Sequence, residues 1–324
     1  MAQEKNKKRV KVQDSRSTIE IRQLKFADVE QWEIPPVASN AVEIDVLSSP
    51  IWTETKAQLI ANYIRLFLLI TKHGAYIDGF AGPQDKSNPD SWAAKLVVEL
   101  TPAWMKELFL CEVSKNSYAD LISMLQGQPE IRGRHIHHQH ADFNRWVDDL
   151  LASGRITDKT ATFALLDQRS IECHWSTVER LAAHKRGGRK IELFYFFPTG
   201  WIHRTISETK DTDSLDAWWG GDGWRQIEGV RQDQAASLFL RKIQALGYRD
   251  VKSWPICSRQ FGTGRTMYHM IHATDHLEAP RLMFRAYRNL IGNVPAGEQT
   301  QLFDMHGKVM EALQRKAGEQ EQKP

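Results

Sequence analysis

Tyr76-Ile77-Asp78-Gly79-Phe80-Ala81-Gly82-Pro83 sets the reading of the chain: an apolar run ends in an acid and breaks at once into a turn with two glycines. Gly79 and Gly82 tolerate positive φ and carry no Cβ, so the backbone N–H groups of the turn are expected to approach a ligand closely. The stretch reads as a strand that opens a nucleotide or nucleoside pocket. Neither phosphate-binding pattern, G-x-G-x-x-G or G-x-x-x-x-G-K-[ST], is present at this turn.

Outward from that turn the chain alternates regularly. Leu59, Ile60, Tyr63, Ile64, Phe67 and Leu68 recur at three- and four-residue spacing and predict one buried helical face over 53–70. Helical patterns over 92–100, 118–125, 143–151 and 175–184 separate strand-like runs over 75–77, 108–111, 136–138, 162–166 and 191–197. Strands separated by helices imply a mainly parallel sheet covered on both faces. Residues 203–247 hold no strand-like run and centre on Trp218-Trp219-Gly220-Gly221-Asp222-Gly223-Trp224, which reads as an inserted helical cap. Strand character returns over 251–256 and 266–273 around Gly262-Thr263-Gly264. So short a link predicts an antiparallel hairpin, because a parallel pair needs a crossover of about a dozen residues. The expected organisation is a partly ordered arm over 1–47, an α/β domain over 48–202 and 248–295, the cap over 203–247, and a C-terminal helix and tail over 296–324.

Composition narrows the function classes. A length of 324 residues with 41% hydrophobic content fits one elaborated α/β domain. No run approaches the roughly 18 apolar residues of a membrane span, and the N-terminus lacks a signal-peptide core. A soluble, cytoplasmic protein without a membrane partner is expected. Cys111, Cys173 and Cys257 are widely spaced, form no C-x-x-C pair, and are expected to be reduced. A net charge of +3, from 43 basic and 40 acidic residues, does not by itself argue for nucleic acid. Lys5, Lys7, Lys8, Arg9 and Lys11 form a basic arm that is read first as a solvated tail and second as a phosphate-binding element.

Ligands of open α/β sheets bind at the carboxyl ends of the strands. Four acids are expected there: Asp78, Glu112, Asp142 and Asp167. An acid after the second strand can accept both ribose hydroxyls, and one after the third can accept the exocyclic amine of adenine, which are the tasks expected of Glu112 and Asp142. His135, His137, His138 and His140 invite a metal reading, but strand alternation places His137 opposite His138 and His140, so no metal site is expected. Cys173 and His174 point apart as neighbours, and the Trp218–Trp224 cluster is read as core packing rather than a base-stacking platform. Arg204 is expected on the rim of the pocket, where it would hold a substrate anion or pair with an acid.

A family resemblance adds to this reading. Trp52, Thr53, Lys56 and Tyr63 in a W-T-x-x-K…Y order, the D-G-F-A-G-P element from Asp78, Glu112 after an apolar strand, and Asp142 with Asn144 resemble the three-Cys-motif partner proteins. Leu165-Leu166-Asp167, Phe196-Phe197-Pro198 with Arg204, and the segment from Tyr268 to His276 resemble later motifs of that family, so the similarity runs from about Trp52 to beyond Leu282. The resemblance implies a Rossmann-like, class I methyltransferase sheet and S-adenosylmethionine held through Asp78, Gly79, Phe80, Ala81, Gly82, Glu112 and Asp142. Asp167 is then the candidate for orienting a nucleophile and Arg204 for placing the substrate. Two departures stand out: Gln84 replaces a glycine, and Asp167-Gln168-Arg169-Ser170 replaces D-P-x-G. Amino-group methyltransferases place a carbonyl and an aromatic ring against the target nitrogen after the fourth strand, and nothing in residues 168–171 supplies that pair. Three functions follow as expectations: a methyltransferase-like protein acting on nucleic acid or a modified nucleotide, a catalytically silent partner of another protein, or a nucleic-acid-processing subunit.

Overall fold

The computed structural model describes residues 52–210, 212–257 and 266–291. In chain order these form α1 (Trp52–Thr71), β1 (Gly74–Asp78), α2 (Ala93–Val98), β2 (Met105–Glu112), α3 (Lys115–Gln126), β3 (His135–His140), α4 (Phe143–Ala152) and β4 (Thr162–Leu166). Then follow α5 (Trp175–Ala183), β5 (Glu192–Phe197), α6 (Ile202–Glu208), α7 (Thr212–Trp219), α8 (Gln232–Gln244), β6 (Asp250–Cys257), β7 (Thr266–Thr274) and α9 (Ala279–Ile291). The basic arm, the Gly262-Thr263-Gly264 turn and the C-terminal tail lie outside the described residues.

One seven-stranded sheet runs in the order β3-β2-β1-β4-β5-β7-β6. Its first five strands pair in parallel, while β7 pairs antiparallel with both β5 and β6. This is the mainly parallel, Rossmann-like sheet expected from the sequence, closed by its antiparallel pair. Strand periodicity divides the core in two. Tyr76, Leu108, Leu110, Phe163, Leu165, Phe194, Phe196, Tyr268 and Met270 face α1, α2, α3 and α9. Their neighbours Ala75, Ile77, Phe109, Cys111, Ala164, Leu166, Leu193, Tyr195 and Phe197 face α4, α5 and the helices between β5 and β6. Crossover helices before β3 thus cover one face and those after it the other, as right-handed connections require when strand order reverses beside β1.

The inserted helices pack into the sheet. Leu215, Trp218, Trp219, Trp224, Ile227 and Phe239 are buried within the core below β5 and β7. Trp218 stacks on Phe197 and Phe239, each with ring centroids 5.8 Å away, and its indole N–H donates to the Tyr195 hydroxyl at 2.9 Å. Polar groups also anchor α1. At the amino end of β5, Glu192 accepts from the Tyr63 hydroxyl, pairs with His272 Nε2 at 2.8 Å and accepts from Thr274 Oγ1 at 3.0 Å. Among the described residues no helix is long and apolar enough to cross a membrane.

Replacing Trp218 with alanine removes a fully buried indole and leaves the Tyr195 hydroxyl without one donor. Trp218→Ala should therefore lower the unfolding free energy by about 3–5 kcal/mol. Urea denaturation followed by circular dichroism measures this; a loss within about 1 kcal/mol would place the inserted helices outside the core.

Candidate functional site

β1 pairs with β2 on one side and β4 on the other, so its carboxyl end lies at the reversal point where open sheets form a ligand crevice. Asp78 ends that strand, almost fully buried. One carboxylate oxygen accepts from the Tyr76 hydroxyl at 2.8 Å and the other from the Phe80 amide at 3.1 Å. Tyr76 is two residues back on the same strand face, so period-2 alternation brings the pair together. Burial raises the Asp78 pKa to about 7, against the lowering effect of these two hydrogen bonds and with a further push from Asp167 and Glu112.

The turn differs from its expected role in two respects. Neither Gly79 nor Gly82 takes a left-handed φ; glycine is required for room. A Cβ on Gly79 would sit 2.7 Å from a Phe143 ring carbon, and one on Gly82 would sit 2.6 Å from Ser117 Cβ. Nor do the amides of the turn point to a ligand. Gly79 donates to Leu165 O at 3.1 Å, Phe80 to Asp78, Ala81 to Cys111 O at 2.8 Å, and Gly82 to Glu112 Oε2 at 2.9 Å. These bonds stitch the turn to the ends of β2 and β4. A turn whose four amides are spent offers no anion nest to a phosphate.

Glu112 closes β2 and is buried. Besides Gly82, it accepts from the Ser114 amide at 2.7 Å. A carboxylate has about four acceptor positions, so capacity remains for two hydroxyls. Beside it Val113 is 61% exposed, one of two large apolar side chains so exposed among the described residues. Asp142, half-buried, caps α4 by accepting from the Asn144 amide and side-chain nitrogen, each at 2.9 Å. Asn144 in turn holds the start of α5, accepting from the His174 amide at 2.8 Å.

On the other side of the turn Asp78, Phe80, Gln84, Trp92, Leu165 and Asp167 line a narrow cavity with space for about one water molecule. Asp167, 7% exposed, forms an ion pair with Lys56, the fifth residue of α1, itself 3% exposed; Nζ lies 2.7 and 2.9 Å from the two carboxylate oxygens. Gln84 donates to Asp167 at 3.3 Å and accepts from Lys56 at 3.4 Å. Gln168 turns inward: its amide nitrogen donates to the Tyr195 hydroxyl at 2.6 Å and to Phe196 O at 3.1 Å, and its oxygen accepts from the Cys173 amide at 2.7 Å. The residue that replaces proline is thus a brace for the loop after β4.

Arg204 stands exposed on α6, outside the residues lining the cavity. His135 and His137 both bond Glu107, at 2.7 and 2.8 Å, while His138 bonds Tyr118 and His140 bonds Val113 O, so the expected alternation is seen. Among the described residues no three His, Cys, Asp or Glu side chains are arranged to hold a metal ion. Cys111 and Cys173 are unpaired and buried; burial pushes the Cys111 thiol up to about 12 and the Cys173 thiol further, so neither is a ready nucleophile. Sequence reasoning assigned no role to Lys56, Tyr76 or Val113. Lys56 carried a signal in its motif, and Tyr76 in its spacing from Asp78, whereas Val113 carried none.

No protein-family model matches the chain, and no curated protein matches it. Among solved structures, it is similar to Trm1 from Pyrococcus horikoshii in complex with S-adenosyl-L-methionine, at 12% identity and a TM-score of 0.40, over 72% of this chain and 58% of that one. The chain therefore spans less than two thirds of that protein's length. A Legionella pneumophila protein of family DUF519 is similar at 10% identity and a TM-score of 0.42, over 74% of this chain and 91% of that one. A conserved hypothetical protein from Streptococcus pyogenes is similar at 12% identity and a TM-score of 0.29, over 64% and 92%.

The buried Asp78 carboxyl makes stability depend on pH. Its folded pKa lies above the unfolded value, so the folded state binds more protons between about pH 4 and pH 7, and stability falls as pH rises through that window. Urea unfolding at about pH 5 and about pH 8 should show the wild type losing about 2–3 kcal/mol more than Asp78→Asn, which cannot titrate. Equal losses would show that Asp78 ionises normally.

Proposed function

We propose that the chain is a methyltransferase-like protein of the three-Cys-motif partner kind that binds S-adenosylmethionine at the carboxyl ends of β1 to β4. One observation carries this reading: a methyltransferase-ordered sheet gathers Asp78, Glu112, Asp142 and Asp167 around a turn with no amide left for a phosphate. Such a rim suits a ligand with hydroxyls, an exocyclic amine and a positive charge, and it does not suit a dinucleotide. The chemistry of the residues therefore fits the cofactor, which would supply an electrophilic methyl group on a sulfonium.

Glu112 would accept the ribose hydroxyls with the capacity left by its two backbone bonds. Asp142 would accept the adenine amine, and the exposed Val113 beside it would cover one face of the base. Asp78 and Asp167 line the cavity beyond the turn and favour the cationic end of the ligand. Gln84 lines that end and Lys56 stands behind it, bonded to Gln84 and Asp167, so both side chains must give way for a ligand to enter. Proximity supplies the catalysis in this reading, with the turn fixing the cofactor and Asp167 orienting the acceptor.

A second reading, a partner protein that keeps the fold without catalysis, is favoured by a separate observation. Asp167 is spent in a buried ion pair and Gln168 in bracing bonds, so neither is free toward a substrate.

Calorimetry with S-adenosylmethionine and S-adenosylhomocysteine separates these readings from any other nucleotide site. The wild type should release heat with both, and Glu112→Gln, with an unchanged circular dichroism spectrum, should bind at least about tenfold more weakly. The absence of wild-type heat at high ligand concentration would overturn the cofactor assignment.

A further inference from the structure

The Lys56 ammonium sits in a cage that recognises ammonium groups in general. Both oxygens of Asp167 lie within 2.7–2.9 Å of it, Gln84 Oε1 lies at 3.4 Å, and the Phe196 and Tyr268 ring centroids lie at 5.4 and 5.6 Å. The two rings are themselves 4.7 Å apart. A carboxylate, a carboxamide oxygen and two aromatic faces satisfy the charge and the N–H donors of a cation together. The carbonyl and ring missing from the segment after β4 are thus replaced by Asp167 at the end of β4, Phe196 on β5 and Tyr268 on β7.

The cage shares a wall with the candidate cofactor crevice. Asp167 and Gln84 belong to both, because each also lines the narrow cavity beside Asp78. That cavity admits about one water, so a substrate reaching the cofactor must displace a wall group. Lys56 stands behind two of those groups, bonded to Gln84 and Asp167, and is the long, unbranched chain that can withdraw from them. Withdrawing it leaves Asp167 buried without a counter-ion, a penalty on the order of a hundredfold or more in any equilibrium that requires it. An incoming ammonium removes the penalty, since one cation replaces another; a neutral or anionic group does not.

We infer that Asp167, Gln84, Phe196 and Tyr268 form a subsite for a primary ammonium group of the substrate, filled in this structure by the chain's own Lys56. As the substrate half of the site described above, this inference rests on the cofactor reading; as an ammonium cage it does not. Lys56 then acts as an internal stand-in that keeps Asp167 paired until an amine of the substrate takes its place. The substrate class is an amine-bearing molecule narrow enough to enter beside Gln84, for which a lysine side chain is the structural template.

Chemical rescue tests the cage in the full-length chain. Lys56→Ala keeps Cβ and removes three carbons and the ammonium, a gap matched by propylammonium, with 1-propanol as the neutral control. Propylammonium should raise the melting temperature of Lys56→Ala saturably, on the order of 5 °C, while 1-propanol and the wild type show no saturable change. Equal responses to the amine and the alcohol, or none to either, would overturn the subsite. If Lys56→Ala does not fold unaided, it is refolded from urea with each additive: recovery with propylammonium alone supports the cage, and equal recovery with both overturns it. Cofactor calorimetry on the wild type is run beside it. Rescue without cofactor heat defeats the cofactor reading alone, and cofactor heat without rescue defeats the subsite alone.

Discussion

The Lys56–Asp167 ion pair is the constraint on which the site depends. Both partners are nearly excluded from water, so separating them costs about 3–5 kcal/mol unless another charge intervenes. The bond reaches from near the start of α1 to the end of β4, and Gln84 bonds both partners from the segment after the β1 turn. Three chain segments distant in sequence are thereby fixed around one cavity. The same helix is held at the other end of the sheet by Tyr63 on Glu192, seven residues and about two helical turns from Lys56. Lys56 and Tyr63 thus tie one helix to acids at opposite ends of the sheet.

A second buried chain of polar groups joins the site to the inserted helices. Gln168 and Trp218 both donate to the Tyr195 hydroxyl, and Gln168 also accepts from Cys173. Every one of these groups is buried, so each must keep its partner. The loop that carries Asp167 is therefore braced from beneath by the segment between β5 and β6. A proline at position 168 would leave the Tyr195 hydroxyl, Phe196 O and the Cys173 amide without these bonds, which explains why the departure from D-P-x-G coexists with a well-packed site.

The glycine turn illustrates how one residue type serves different ends. Positive φ would have made Gly79 and Gly82 part of an anion nest. Instead they lie where Phe143 and Ser117 press against the backbone, and the amides of Gly79, Ala81 and Gly82 stitch the turn to β4 and β2. The strand-end acids, not the turn's backbone, are left to meet a ligand.

Patterned residues made the architecture legible from sequence. Apolar positions at helical spacing in α1, alternation along the strands and the short link before β7 require a mainly parallel sheet closed by an antiparallel pair, because burial and connection length depend on neighbours along the chain. The acids Asp78, Glu112, Asp142 and Asp167 could be placed at strand ends for the same reason. Partnerships could not. That Asp167 pairs with Lys56, that Gln168 braces rather than replaces a catalytic motif, and that Phe196 and Tyr268 enclose an ammonium are facts of three-dimensional approach between segments up to roughly two hundred residues apart. Local periodicity records which face of an element is buried; only tertiary packing decides which charge meets which.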